Sequence, residues 1–272
     1  MILLGVVCAP VANPSVRNGN CRRPAGCLKA DTGAEGVSRV SSWRIVAVRG
    51  DVVVAEEYNL KLDDRPSHPF RGLEPVTISG RPSGLTYHHI VPYSKLRDFW
   101  NKLVENGDIK RCKFLPPLRD MISEKTYVNI LSPDGRRSDA EMQAVKDLVS
   151  DIYMGRVSHG SSRLRPEGWD NLVGIYAWLP GNLFVGPTDR CDDPKDKIDD
   201  AAFRTKGARQ VRRRILSESY EEILAYLKGA TARKSKFASE ALYKVVRYPK
   251  LQDFDLRDWT WIDGEKGPQV KG

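Results

Sequence analysis

The chain has 272 residues, 40% of them hydrophobic and 29% charged. Those proportions exclude a wholly disordered polymer and leave ample apolar surface for a buried core. The formal net charge of +9 favours a polyanionic partner, either nucleic acid or an acidic membrane face. That charge is regional: between Phe203 and Lys250 thirteen Lys or Arg face four Glu, and the rest of the chain balances.

Residues 1 to about 40 are rich in Gly, Pro, Asn, Ser and Arg without an apolar period, and are expected to form a mobile leader. The opening MILLGVVCAPVA has the apolar tone of a signal peptide, but no Lys or Arg precedes it, so a cytoplasmic location is expected. Five cysteines without a CxxC pair point to a reducing compartment and away from a disulfide framework. No apolar run is long enough to span a bilayer. From Trp43, WRIVAV and VVVAEEY flank Arg49-Gly50-Asp51 and predict a β-hairpin, with the Gly-Asp pair as its turn.

A proline-rich loop from Pro66 to Pro82 leads into LTYHHIVP, a predicted strand ended by Pro92. Ser94 then offers a cap for a helix with Leu96, Phe99, Trp100, Leu103 and Val104 on one face, stopped at Gly107. Ser138 and Glu141 form a capping box ahead of a second helix whose Met142, Val145, Leu148, Val149 and Ile152 point inward. LVGIYAWLPGNLFVGP reads as two strands around Pro180-Gly181, and Asp193-Pro194 reads as a helix start. Two more helices follow. Tyr220, Ile223, Leu224 and Leu227 mark the first, and Phe237, Ala241, Leu242, Val245 and Val246 mark the second, which ends before Pro249.

The sharpest chemical signal is Tyr87-His88-His89-Ile90-Val91-Pro92, since a neutral imidazole takes protons near neutral pH and also binds metal. Neighbours on a regular strand face opposite ways, so one site needs a twist or break there. His159 and His68 lie in predicted loops and are expected to be solvated. P-loop, GxSxG, HExxH and zinc-deaminase signatures are absent.

Three pieces taken in order resemble the HNH, or ββα-metal, endonucleases. They are His88-His89-Ile90-Val91-Pro92, then Asn182-Leu183-Phe184-Val185, then the acidic stretch from Asp192 to Asp196. The resemblance implies an α+β fold with a ββα-metal-like core, inserted helices and the N-terminal hairpin, in a domain of residues 41 to 202. A basic helical extension over residues 203 to 272 is expected to pack on it.

The same resemblance makes His88 a metal ligand, His89 the general base and Asn182 the residue that fixes the loop orienting it. The helix start holds Asp where such enzymes carry His or Asn, so Asp193 and Asp196 are the candidate ligands, and Mg²⁺ or Mn²⁺ suits their oxygens. Arg190 beside them is a candidate for gripping phosphate. Arg204, Arg209, Arg212, Arg213 and Arg214 are candidates for tracking a nucleic-acid backbone, with Lys228, Arg233, Lys234 and Lys236 extending the track. The expected activity is metal-dependent hydrolysis of phosphodiester bonds, DNA before RNA. Analogy with bacterial toxin nucleases adds an immunity protein as partner. The competing expectation is a non-catalytic nucleic-acid-binding protein.

Overall fold

In a computed structural model the described residues are 55–68, 70, 72–124, 138–206, 210–262 and 264–271. They form an α+β structure in which small, separate two-stranded sheets are embedded among helices. The predicted leader, the Arg49-Gly50-Asp51 turn and Arg209 lie outside the described residues. No helix of the described residues is long and apolar enough to cross a membrane.

Strand β1 (Glu56–Tyr58) pairs in parallel with β5 (Val157–His159). β2 (Val76–Ile78) and β3 (Arg81–Ser83) form a hairpin inside the stretch expected to be a loop. Its turn residues Ser79 and Gly80 both take positive φ, the geometry a tight two-residue hairpin turn demands. β4 (Leu85–His89) pairs antiparallel with β6 (Leu183–Pro187), as β7 (Trp259–Trp261) does with β8 (Pro268–Val270). The β4–β6 pair joins segments nearly a hundred residues apart, with most of the helices between them.

Helix α1 (Tyr93–Glu105) buries Leu96, Phe99, Trp100, Leu103 and Val104, the expected face. Its cap differs from expectation: Pro92 starts the helix without a side-chain cap, and the Ser94 hydroxyl donates to Asp196. The short α2 (Leu115–Met121) precedes α3 (Asp139–Met154), which has the predicted Ser138–Glu141 capping box and ends in left-handed Gly155.

The run from Leu172 to Leu179, expected to be a strand, lies largely in helix α4 (Trp169–Ala177). Trp169, Leu172, Ile175 and Tyr176 are buried at helical spacing, a period that the nearly continuous apolar run conceals. Gly168 before it takes positive φ and lies so near α3 that a Cβ there would come within 2.9 Å of the Ala144 backbone.

Asp193-Pro194 starts no helix. The Asp193 carboxylate accepts from the Lys195 backbone N–H and Lys195 adopts φ +59°, a local turn incompatible with helix propagation. The next helix is α5 (Ala201–Arg204), followed by α6 (Gln210–Lys228) and α7 (Ala232–Val246). Phe237, expected to point inward, is 38% exposed beneath the Arg233 guanidinium. One core runs through α1, α3, α4, β6, α6 and α7, so the basic helices share it with the preceding elements.

Candidate site at the end of strand β4

The β4–β6 ladder sets His88 opposite Phe184 and His89 opposite Leu183, and it stays regular through both histidines. The two imidazoles therefore leave opposite faces, and the twist that would bring them together is absent. His88 Nε2 lies 2.9 Å from the Pro187 carbonyl oxygen, with its ring stacked on Phe184 at 5.3 Å. His89 Nε2 lies 2.7 Å from the Ala177 carbonyl oxygen, with its ring 4.7 Å from that of Trp178.

A carbonyl oxygen accepts and never donates, so each Nε2 carries the proton in both contacts. Burial lowers both histidines to a pKa of about 4, and cations add to it: Arg190 beside His88, Arg65 beside His89. The opposing pull of the carbonyls, and of Asp193 at His88, is smaller. At neutral pH both rings are uncharged and present a lone pair at Nδ1.

Just past β4, Asn182 closes the ladder. Its Oδ1 accepts from the Val91 N–H at 2.7 Å, its Nδ2 donates to the Val91 carbonyl at 2.8 Å, and its own carbonyl accepts from Ile90 N–H at 2.8 Å. The side chain is 1% exposed and stands in for a missing strand neighbour. Gly181 before it packs where a Cβ would come within 2.5 Å of the Val245 and Tyr248 carbonyl oxygens. The Ile90 carbonyl accepts from Asp199 N–H, tying the acidic loop after β6 to the same strand end.

Arg190 does not face an open site. It is 6% exposed and grips Asp199 with two bonds of 2.6 and 3.1 Å, and its Nε donates to Asp192 at 2.8 Å. Burial works against the cation, but the two carboxylates outweigh it and raise the guanidinium above its usual value. Those bonds consume the fork that a phosphate would need, which removes the expected phosphate-gripping role.

The predicted ligand trio does not assemble. Asp193 is exposed yet acts electrostatically on His88, whereas Asp196 accepts from Ser94 on α1. No group of three or more His, Cys, Asp or Glu among the described residues could hold a metal ion.

Of the candidate phosphate-tracking arginines, Arg213 and Arg214 are exposed. Arg204 is exposed but paired with Asp192 at 3.1 Å. Arg212 is 4% exposed and donates to the Gly181 and Leu183 carbonyls and to Gln252 Oε1, so it makes no surface contact of the kind expected.

His68 and Arg65, unassigned by sequence, belong to the His89 face: His68 meets Trp178 edge-on at 6.0 Å, and Arg65 stands over the same ring at 5.4 Å. Neither lies in a periodic element, so no spacing announced them. His159, expected to be a solvated loop residue, lies in β5 and accepts from Leu60 N–H at 3.3 Å.

No family model matches the chain, and no solved structure matches it. Protein p9 of Acyrthosiphon pisum secondary endosymbiont phage 1 is 26% identical over 150 residues, 52% of this chain and 39% of that protein. The match thus covers well under half of the phage protein's length.

Proposed function

We propose that this chain hydrolyses phosphodiester bonds of nucleic acid, DNA before RNA, at the end of β4, as the HNH-like sequence pattern implies. The observation that supports the reading is the fixed tautomer of the histidine pair, Nε2–H on a backbone carbonyl with the lone pair on Nδ1, at a strand end closed by Asn182. A carbonyl-anchored imidazole is how proteins orient both a general base and a metal-ligating histidine.

His89 Nδ1 takes the proton of the attacking water. With a pKa of about 4 it is a weak base, but one that stays unprotonated across the neutral range. A divalent ion, Mg²⁺ or Mn²⁺, would be held by His88 Nδ1 and one carboxylate on the face of β4 opposite His89, with Asp193 preferred because its charge acts on His88, so the reading requires metal and base to reach one phosphodiester from the two sides of the strand end. Two protein donors suit an ion that keeps several waters and takes phosphate oxygens, and when bound it would stabilise charge on the phosphoryl group.

Incubation of the full chain with plasmid or RNA, with Mg²⁺, Mn²⁺ or EDTA, tests the activity. His89→Gln, which keeps a donor for the Ala177 carbonyl, is expected to slow cleavage by roughly 100-fold or more without unfolding the chain. Cleavage by that variant at the wild-type rate would remove His89 from the mechanism.

A second reading, nucleic-acid binding without cleavage, is favoured by the solvent-facing Arg213, Arg214, Arg233 and Lys236 of α6 and α7. It predicts salt-dependent binding and intact substrate under every metal condition.

A further inference from the structure

Arg212 is a buried cation whose partners are all neutral. Its Nε and both terminal nitrogens donate to the Gly181 carbonyl, the Leu183 carbonyl and Gln252 Oε1, and no carboxylate of the described residues joins them. Burial pulls the guanidinium down to about 10, and the Tyr248 hydroxyl opposes this slightly. A buried charge without a counter-ion carries an unrecovered desolvation cost, which an anion supplied from solution would offset.

Arg212 is also the inner wall of a cleft of 640 Å³ between α6 and the segment after α7. That volume falls within the range of ligand sites and far exceeds one ion. Tyr248, whose ring lies 5.8 Å from the Arg212 guanidinium, and Phe254 give the cleft an aromatic lining, while exposed Lys250 adds a second cation at the rim. The Asp255 carboxylate in the same cleft is held by Arg257 Nε and a terminal nitrogen, with its shortest bond at 2.6 Å, and Asp253 is its remaining acidic group. The balance of the lining is therefore cationic around a polarised, partly aromatic hollow.

We propose that this cleft binds a phosphate group carried by a ligand of nucleotide size, with Arg212 as the buried anchor and Lys250 as the rim charge. Arg212 NH1, which gives one hydrogen to Gln252, has a second to offer the phosphate. The aromatic walls receive the rest of the ligand. The phosphate can come from free solution or from a nucleic-acid strand, and the site requires no catalysis at β4.

The test is thermal unfolding and calorimetric titration of the full chain with inorganic phosphate and with a twelve-residue oligothymidylate, each at constant ionic strength. A saturable rise in Tm with both probes is the expected result, and a rise with oligothymidylate alone would assign the site to a strand. Lys250→Glu should weaken binding by roughly ten-fold or more at unchanged basal Tm. Arg212→Gln should abolish it, and if that variant does not fold, Lys250→Glu decides alone. No saturable shift with either probe, or wild-type affinity in Lys250→Glu, overturns the proposal.

Discussion

Two buried arginines, Arg190 just after strand β6 and Arg212 bonded to its first residue Leu183, have partners that differ in kind. Arg190 is closed by two carboxylates and sits near the rings of Phe184 and Trp259, at 5.4 and 5.6 Å. Arg212 is held by carbonyl and amide oxygens alone and borders a cleft. Partner charge, more than burial, decides what an arginine does: the first is a finished internal ion pair, the second a staple with unspent charge. Removing each should therefore have different consequences.

Arg190→Met is expected to cost the most, about 3 to 5 kcal/mol, because it strands the buried Asp199 carboxylate. Arg212→Met takes the donors from the Gly181 carbonyl and Gln252 Oε1, while Leu183 O keeps the Gln252 N–H, and it orphans no charge, so it should cost about 1 to 3 kcal/mol. Urea unfolding of the two variants sharpens the comparison, and equal losses would break it.

Asn182→Ala removes both side-chain bonds to Val91 and leaves a buried N–H and C=O unpaired, for an expected loss of about 2 to 4 kcal/mol. Because Val91 lies two residues after His89, this variant should also lower any cleavage before the chain unfolds. A fully active, fully stable Asn182→Ala would show that the strand end is held by other contacts.

The histidines add a pH dependence with a defined sign. Each is near 6.5 in the unfolded chain and about 4 in the folded one, so between those values the unfolded state binds more protons. Their contribution is whole above pH 6.5 and lost as pH falls towards 4, up to about 3 kcal/mol per histidine. Denaturation curves across that window, compared with those of His88→Gln and His89→Gln, would detect it. An unchanged slope in both variants would mean that neither ring is kept neutral by burial.

The smallest expected effect on stability lies at the surface. Arg213→Gln with Arg214→Gln should leave stability within about 0.5 kcal/mol while lowering the salt slope of nucleic-acid binding by up to about two units. An unchanged slope in the double variant would make Arg213 and Arg214 a solvated helix face.

Legibility in the sequence followed the range of the interaction. The faces of α1 and α3 were readable because their apolar residues recur at three and four, and the Ser138–Glu141 box because both partners lie within one turn. Helix α4 was not, because residues that are apolar on every side erase the period. The acidic segment failed differently. Asp-Pro is a good helix start by local rule, but Asp192 is drawn to Arg190 and Asp193 closes a turn onto Lys195, two local bonds that compete with the helix.

The sequence by itself determined the α+β class, the strand that carries the histidine pair, the amphipathic faces of the main helices and the regional positive charge, all properties fixed within a few residues. Tertiary structure alone decided that β4 stays regular through the two histidines, that Arg212 goes inside while Arg213 and Arg214 stay out, and that Asn182 clamps Val91. Each of those outcomes depends on a partner between 29 and 91 residues away in the chain or on the register of β4 against β6. No local spacing encodes which distant carbonyl, carboxylate or strand will be there when a side chain is buried.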